Sequence, residues 1–288
     1  MLGKLLKYEI KHSARYTATI YLATIAFAAI SVIALLLNST WLGVTSCFML
    51  YFAGVASVIV TLVSVIKNFY DTLYSRQGYL TFTLPVKGST ILISKLITSV
   101  LWIVMGFLVM GLTLLVIFYY AKDKSAGIFD TLLDSFHISG LADLLPSGLV
   151  VAEAVIVLAV MALLTVITYV GYVFFVVTVA NTRPFQSHPK LYGALLFMGI
   201  FSVVNTVGNI LTENIPLTFN IATDKVFFAF ADMFSVEGTL LSYGIGGTIF
   251  SAIVAGGLLA LTGYIMENKV NIKLTRLFGG KHIWIRKL

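Results

Sequence analysis

Apolar residues dominate this chain in long uninterrupted runs, separated by short stretches that hold most of the charges and all five prolines. No charged residue occurs between Tyr16 and Ile66, an interval in which two apolar runs meet near Asn38. A helix needs about 20 apolar residues to cross the hydrocarbon core of a bilayer. We therefore predict an all-α, polytopic membrane protein with six transmembrane helices, at about 17–37, 42–66, 96–121, 149–180, 191–211 and 239–266.

The composition agrees with this class. Hydrophobic residues make up 59% of the 288 residues and charged residues 11%, whereas a soluble domain is about a quarter charged. The net charge of +7 suggests no nucleic-acid partner, because the basic residues flank the apolar runs as membrane orientation requires. The single cysteine, Cys47, excludes an intrachain disulfide and a cysteine metal cluster.

The distribution of Lys and Arg predicts the orientation. Sixteen of the nineteen fall in segments 1–16, 67–95, 181–190 and 267–288, which all lie on one side of the six predicted helices. Cytoplasmic loops carry the excess of basic residues, so we expect a multi-pass protein of the cell membrane with both termini in the cytoplasm. Eight of the twelve acidic residues lie on the opposite side.

The N-terminal segment 1–16 has the pattern of an amphipathic helix. Its apolar stripe contains Leu2, Leu5, Leu6 and Ile10, and its basic face contains Lys4, Lys7 and Lys11. Such a helix lies along the lipid headgroups of an anionic leaflet, although the pattern also fits an extension of the first span. A signal peptide is disfavoured because the apolar run that follows is longer than a signal core and a second span comes almost at once.

Segment 67–95 is the longest charged loop on the predicted cytoplasmic side. It begins with a short amphipathic helix on which Phe69, Leu73 and Arg76 share one face and Tyr70 and Tyr74 another. Exposed aromatic residues beside basic ones are typical of a docking surface. The alternative is a loop that packs only against its own bundle.

Four segments carry a resemblance to a known family. They are 1–9 (MLGKLLKYE), 78–86 (GYLTFTLPV), 91–96 (ILISKL) and 264–272 (YIMENKVNI). Together with the six-span topology they resemble the permease subunits of type-2 ABC exporters of Gram-positive bacteria. The resemblance covers residues 1–272, which we treat as one permease domain, and leaves 273–288 as a basic cytoplasmic tail.

The resemblance implies partners and a role for the loop. Permeases of this class form homo- or heterodimers and bind separate ATPase subunits, which hold ATP and Mg²⁺. A coupling helix after the second span inserts into the ATPase subunit, and this role carries over to residues 68–76. The implied contacts are Asn68, Phe69, Tyr70, Leu73, Tyr74 and Arg76.

The chain itself lacks the motifs of an enzyme. It has no Gly-x-x-x-x-Gly-Lys-Ser/Thr stretch that could cradle phosphates, so ATP hydrolysis would occur on another polypeptide. Its four histidines are dispersed over different segments, and no metal or nucleophile constellation emerges. We therefore predict no catalytic residue, no metal and no cofactor in this chain.

A few polar residues within or beside the spans are candidates for a translocation path. Asn205 and Asn209 share one face of the fifth span, where they either line a path or bond a neighbouring helix. Glu153 begins the fourth span, where it either contacts substrate or reaches the headgroups. Outer segment 122–148 is amphipathic and can form a lid helix, and outer segment 212–238 is expected to form short membrane-dipping helices or a covering loop.

Three functions remain open at this point. The first is an ATP-driven exporter of an amphipathic or hydrophobic substrate, such as an antimicrobial peptide, a drug or a lipid-linked molecule. The second is a non-transporting sensor or immunity module that sequesters a peptide and needs no ATPase. The third is an ion-coupled transporter, which is disfavoured because such proteins place ionisable residues at mid-membrane and the spans hold only Glu153, near one end.

Overall fold

The computed structural model describes residues 2–36, 40–75, 78, 87–124, 148–182, 185, 188–215, 217–222, 226–230, 239–268, 272–273 and 284–285. Six long helices account for most of them: α1 Leu2–Leu36, α2 Thr40–Leu73, α3 Gly88–Lys124, α4 Gly148–Ala180, α5 Pro189–Asn214 and α6 Gly246–Asn268. Five strands complete the elements: β1 Leu217–Ala222, β2 Val226–Phe230, β3 Thr239–Gly244, β4 Ile272–Lys273 and β5 Trp284–Ile285.

The predicted class of helical, polytopic membrane protein is confirmed. Helices α2 to α6 are each long and apolar enough to cross a membrane. Helix α1 supplies a sixth span if its two arms, Gly3–Ala14 and Thr17–Ile33, are taken together, and these arms meet at an angle of 48°. Large apolar side chains such as Leu22, Phe48 and Ile253 are exposed along the helices, as expected of side chains that face lipid.

The boundaries of segment 67–95 differ from the prediction. Helix α2 continues without a break to Leu73 and α3 already begins at Gly88, so the predicted coupling helix is the last part of α2 and not a separate element. The polar residues after Ile66 change the solvent exposure of the helix but contain no proline or glycine to end it. Residues 76–77 and 79–86 lie outside the described part of the chain, as does 125–147 of the predicted outer lid.

The outer segment 212–238 also differs from both predicted alternatives. Strands β1, β2 and β3 form an antiparallel sheet in the order β2-β1-β3, with Phe219 opposite Phe228 on one side and Tyr243 on the other. The β3 strand takes up residues that were assigned to the last span, so α6 begins only at Gly246. Aromatic and β-branched residues favour strands, and a run as short as 226–230 does not distinguish strand from helix by periodicity.

The described residues form two compact units. The first contains Met1–Glu9, Ile66–Val100 and Pro146–Leu288. In it α4, α5 and α6 pack together, and each contributes one residue to a core cluster of Tyr172, Val204 and Ala255.

The second unit contains Ile10–Val65 and Leu101–Leu145. A chain of polar contacts joins its helices around Tyr21, whose hydroxyl donates to the Trp102 carbonyl oxygen at 2.8 Å and lies 3.0 Å from Thr61 Oγ1. The Trp102 indole Nε1 in turn donates to Ser13 Oγ at 2.8 Å. Interhelical hydrogen bonds of this kind hold transmembrane helices together where water is absent.

Candidate functional site

A cavity of about 250 Å³ opens between α4, α5, α6 and β3 of the first unit. Its lining is unusually polar for a membrane bundle. The lining residues are Thr165, Thr168, Tyr169, Tyr172, Val204, Asn205, Gly208, Asn209, Thr212, Tyr243, Gly244, Gly247, Thr248 and Ser251. The cavity extends from the strand β3 at one end of the bundle to the middle of α4.

The helices tolerate these polar residues because their hydroxyl groups bond the helix backbone. The Thr165 hydroxyl donates to the Met161 carbonyl oxygen at 2.9 Å and the Thr168 hydroxyl to that of Leu164 at 2.8 Å. On α5 the Thr212 hydroxyl donates to the Gly208 carbonyl oxygen at 2.9 Å. Serine and threonine commonly bond the carbonyl one turn earlier in this way.

Glycine shapes one wall of the cavity, where α5 and α6 approach closely. A Cβ atom placed on Gly247 would lie 2.6 Å from the Gly208 carbonyl oxygen, whereas one placed on Gly208 would lie 3.8 Å from the nearest atoms of Gly247. The Gly247 amide also donates to Thr212 Oγ1 at 2.9 Å. The small residues of the last span therefore serve close packing at Gly247, but Gly256 and Gly257 face open space.

The structure brings together two of the three predicted path residues. Asn205 and Asn209 both line the cavity, and the Asn205 amide donates to the Phe201 carbonyl oxygen at 2.8 Å. Glu153 is exposed and is not among the lining residues. A contact between these residues and a substrate remains a prediction.

Sequence reasoning missed the contribution of α4 to this cavity. Thr165, Thr168, Tyr169 and Tyr172 supply four of the lining side chains. Their spacing of three or four residues puts them on one helix face. A polar stripe at helical spacing inside an otherwise apolar run was the signal that could have identified them.

No protein-family model, curated protein or solved structure matches this chain. The interpretation of the cavity, and of the end of α2 described next, therefore depends on the geometry of the chain and on the resemblance of its segments.

The predicted partner contacts at the end of α2 are largely turned into the protein. The Phe69 ring, 2% exposed, stacks on the Phe174 ring of α4 with 3.9 Å between centroids and 9° between planes. Leu73 is 0% exposed. The Tyr74 hydroxyl donates to Thr178 Oγ1 at 2.9 Å, and burial raises the pKa of Tyr74. Phe69 and Tyr74 thus join the end of α2 to α4, and the buried Phe69 and Leu73 side chains are not presented to a partner.

Three members of the predicted set remain at least partly accessible among the described residues. Tyr70 is 37% exposed, and Asn68 and Tyr74 are half-buried. Arg76 lies outside the described residues. A docking surface at this end of the molecule is therefore narrower than the sequence suggested, and Tyr70 is its best-defined member.

A buried ion pair lies beside this helix end. Lys95 of α3, 2% exposed, donates from Nζ to Glu9 Oε1 at 2.7 Å and to Thr72 Oγ1 at 2.6 Å. The Lys95 ammonium thereby joins the N-terminal segment of the chain, the end of α2 and the start of α3. Removing one partner of a buried pair leaves the other charge uncompensated, which is strongly destabilising.

The described lining of the cavity offers groups that can bind a ligand. The described residues contain no group of three or more His, Cys, Asp or Glu residues that could hold a metal ion. The cavity presents hydroxyl and amide groups beside aromatic rings, the surface of a site that binds a ligand by hydrogen bonding and packing.

Proposed function

We propose that this chain is the permease subunit of an ATP-driven exporter and moves an amphipathic or hydrophobic substrate with energy from a separate ATPase subunit. The observation that carries the proposal is the Phe69–Phe174 stack, because it connects the predicted docking helix to the helix that lines the cavity. The family resemblance supplies the ATPase partner, the dimeric assembly and the cytoplasmic position of the docking end.

The proposed mechanism follows from this connection. A partner that closes on ATP pushes against the end of α2 at Tyr70 and Asn68. Since the buried Phe69 ring stacks directly on Phe174 of α4, its displacement carries α4 with it. Movement of α4 changes the width of the cavity, because Thr165 and Tyr169 form part of its wall. The cavity then alternates between access from the two sides of the membrane.

The test that we would make first is affinity purification of the chain from its native membrane in mild detergent, with mass spectrometry of the proteins that co-purify. We expect a stoichiometric protein that contains the phosphate-cradling Gly-x-x-x-x-Gly-Lys motif. Recovery of the chain alone, under conditions that preserve other membrane complexes, would contradict the proposal and favour a peptide-sequestering module.

A point variant then tests the docking surface. Tyr70→Asp places a charge on the exposed face of α2 and should abolish recovery of the ATPase subunit. Tyr8→Asp is the matched control, because Tyr8 is 72% exposed and lies outside the predicted contact. Phe69 and Leu73 are unsuitable for this test, since a charge at either buried position would disrupt the fold itself.

If the ATPase subunit fails to co-purify with both tyrosine variants, or co-purifies with both, the docking surface does not lie at Tyr70. Folding of each variant is checked by its melting temperature in detergent, which should match that of the unmodified chain because both side chains are exposed.

A further inference from the structure

We infer that the cavity between α4, α5 and α6 is a recognition site for a hydrogen-bond donor, and specifically for the ammonium head group of an amphipathic molecule. The inference rests on the proposed function, since it names the chemical class that such a permease would take up. It depends on how the donors and acceptors of the lining are distributed.

Many of the lining residues already donate a hydrogen to the protein backbone. Six of them donate to backbone carbonyl oxygens: Thr165, Thr168, Tyr172, Asn205, Thr212 and Ser251. A hydroxyl group has one hydrogen and two lone pairs, and an amide has a carbonyl oxygen besides its NH₂ group. The lining is therefore richer in spare acceptors than in spare donors.

A ligand that matches this lining must bring its own donors. An ammonium group has three N–H donors and no acceptor, so it can bond several lining oxygens at once. Tyr169, Tyr172 and Tyr243 add aromatic rings to the wall, and aromatic faces attract cations.

An anionic head group fits poorly by the same reasoning. No Lys, Arg or His is among the lining residues that the structure describes. A sulfate or phosphate would meet oxygen acceptors without a compensating charge, and burying such a group is costly.

The size of the cavity limits what enters it. Pockets for drug-sized ligands have volumes of about 300 to 1,000 Å³, and this cavity has about 250 Å³. It therefore accommodates the head group of an amphiphile, or one basic side chain of a peptide, while the rest of the molecule extends beyond it.

The test compares two probes with identical tails, octylammonium and octyl sulfate, by calorimetric titration into the purified full chain in phosphatidylcholine nanodiscs. Empty nanodiscs give the partitioning background. We expect saturable binding of octylammonium. The dissociation constant of octyl sulfate should be at least about tenfold higher, because one charge-assisted hydrogen bond accounts for a difference of that size. Equal binding of the two probes would overturn the inference.

Variants locate the binding. Asn205→Leu combined with Asn209→Leu should weaken octylammonium binding about tenfold or more by removing acceptors. Asn214→Leu is the matched control, because Asn214 is an exposed α5 residue whose amide makes the same bond to the carbonyl one turn earlier, at 2.7 Å. Unchanged binding in the double variant, or equal loss in the control, would contradict a site in the cavity.

A second, isosteric variant guards against misfolding of the first. Thr165→Val removes one lining hydroxyl and should weaken octylammonium binding, whereas Thr206→Val, at an exposed α5 position outside the cavity, should not. If neither Thr165→Val nor the asparagine pair changes binding, the inference is wrong.

The ammonium group can come from a free amphiphile or from a lipid head group. Replacing part of the phosphatidylcholine by phosphatidylethanolamine separates these sources, since competition by the lipid would lower the apparent affinity for octylammonium. These titrations contain no ATPase subunit and no ATP, so their failure would leave the co-purification result intact. The reverse also holds.

Discussion

At the scale of single residues, several polar side chains of the described helices join one part of the protein to another. Tyr21, Trp102 and Tyr74 each join two helices through a hydrogen bond. In lipid, where no water can replace a lost partner, a polar group without a hydrogen bond costs on the order of several kcal/mol. These residues are therefore constrained by their partners as strongly as the apolar core residues are by packing.

Removing the Tyr21 hydroxyl tests this constraint in the second unit. Tyr21→Phe deletes the bond to the Trp102 carbonyl oxygen and the contact with Thr61. We expect the free energy of unfolding to fall by about 1 kcal/mol. The measurement is an SDS titration of the detergent-solubilised chain. Tyr51→Phe, at an exposed position of α2, should change it little, and equal effects would contradict the role of the hydroxyl.

Removal of the stacked Phe69 ring should lower the free energy of unfolding more than removal of the Tyr21 hydroxyl. Phe69→Ala removes a side chain that is fully packed against Phe174, and we expect a loss of about 3 kcal/mol in the free energy of unfolding. Phe48→Ala is the control because Phe48 lies on the same helix with its ring exposed. A loss confined to partner binding, with the stability unchanged, would show that Phe69 is a docking residue after all.

At the scale of elements, the two ends of the α4–α6 bundle are joined to the rest of the first unit in different ways. The end of α2 is fastened to α4 by aromatic packing and to the start of α3 by Lys95. The opposite end of the α4–α6 bundle carries the small sheet, in which Phe219 and Asn220 are fully buried. Aromatic packing and an ion pair thus hold the end at α2, whereas a buried strand holds the end at the sheet.

The ion pair allows a double-mutant cycle. Lys95→Met leaves the Glu9 carboxylate without its ammonium partner and should lower the free energy of unfolding by about 3 kcal/mol. Adding Glu9→Gln removes the buried charge and should restore most of that loss. Lys87→Met, at an exposed position of the same region, serves as the control. Additive losses in the double variant would exclude an energetic link between the two charges.

At the scale of the whole molecule, the orientation in the membrane governs every functional statement. The excess of Lys and Arg predicts that both termini lie in the cytoplasm. A fluorescent protein fused after Leu288 should therefore fluoresce, and alkaline phosphatase fused at the same place should be inactive. The phosphatase fused at Phe230 should be active instead. Active alkaline phosphatase at the C-terminus would contradict the predicted orientation and would put the proposed docking end on the outer side of the membrane.

Much of the fold could be predicted from the sequence, because runs of twenty apolar residues leave no alternative to spanning helices. The four-residue spacing of Asn205 and Asn209 was also enough to bring them together, and both line the cavity. The sequence could not show that Phe69 and Leu73 point inward, since an amphipathic pattern does not say whether its apolar side meets a partner or the same chain. It could not distinguish strand from helix at 226–230, nor reveal the wall that α4 supplies, because both depend on contacts between distant residues.

The composition of the cavity wall has a consequence for the energy balance of the cell. Among the described lining residues none is Asp, Glu, His or Lys, the side chains on which proton relays across membranes usually depend. The described part of the wall therefore lacks the side chains that usually take up a proton on one side of a membrane and release it on the other. We therefore expect the proposed permease to spend ATP without dissipating the proton-motive force, so that its activity would not compete with ATP synthesis for that gradient.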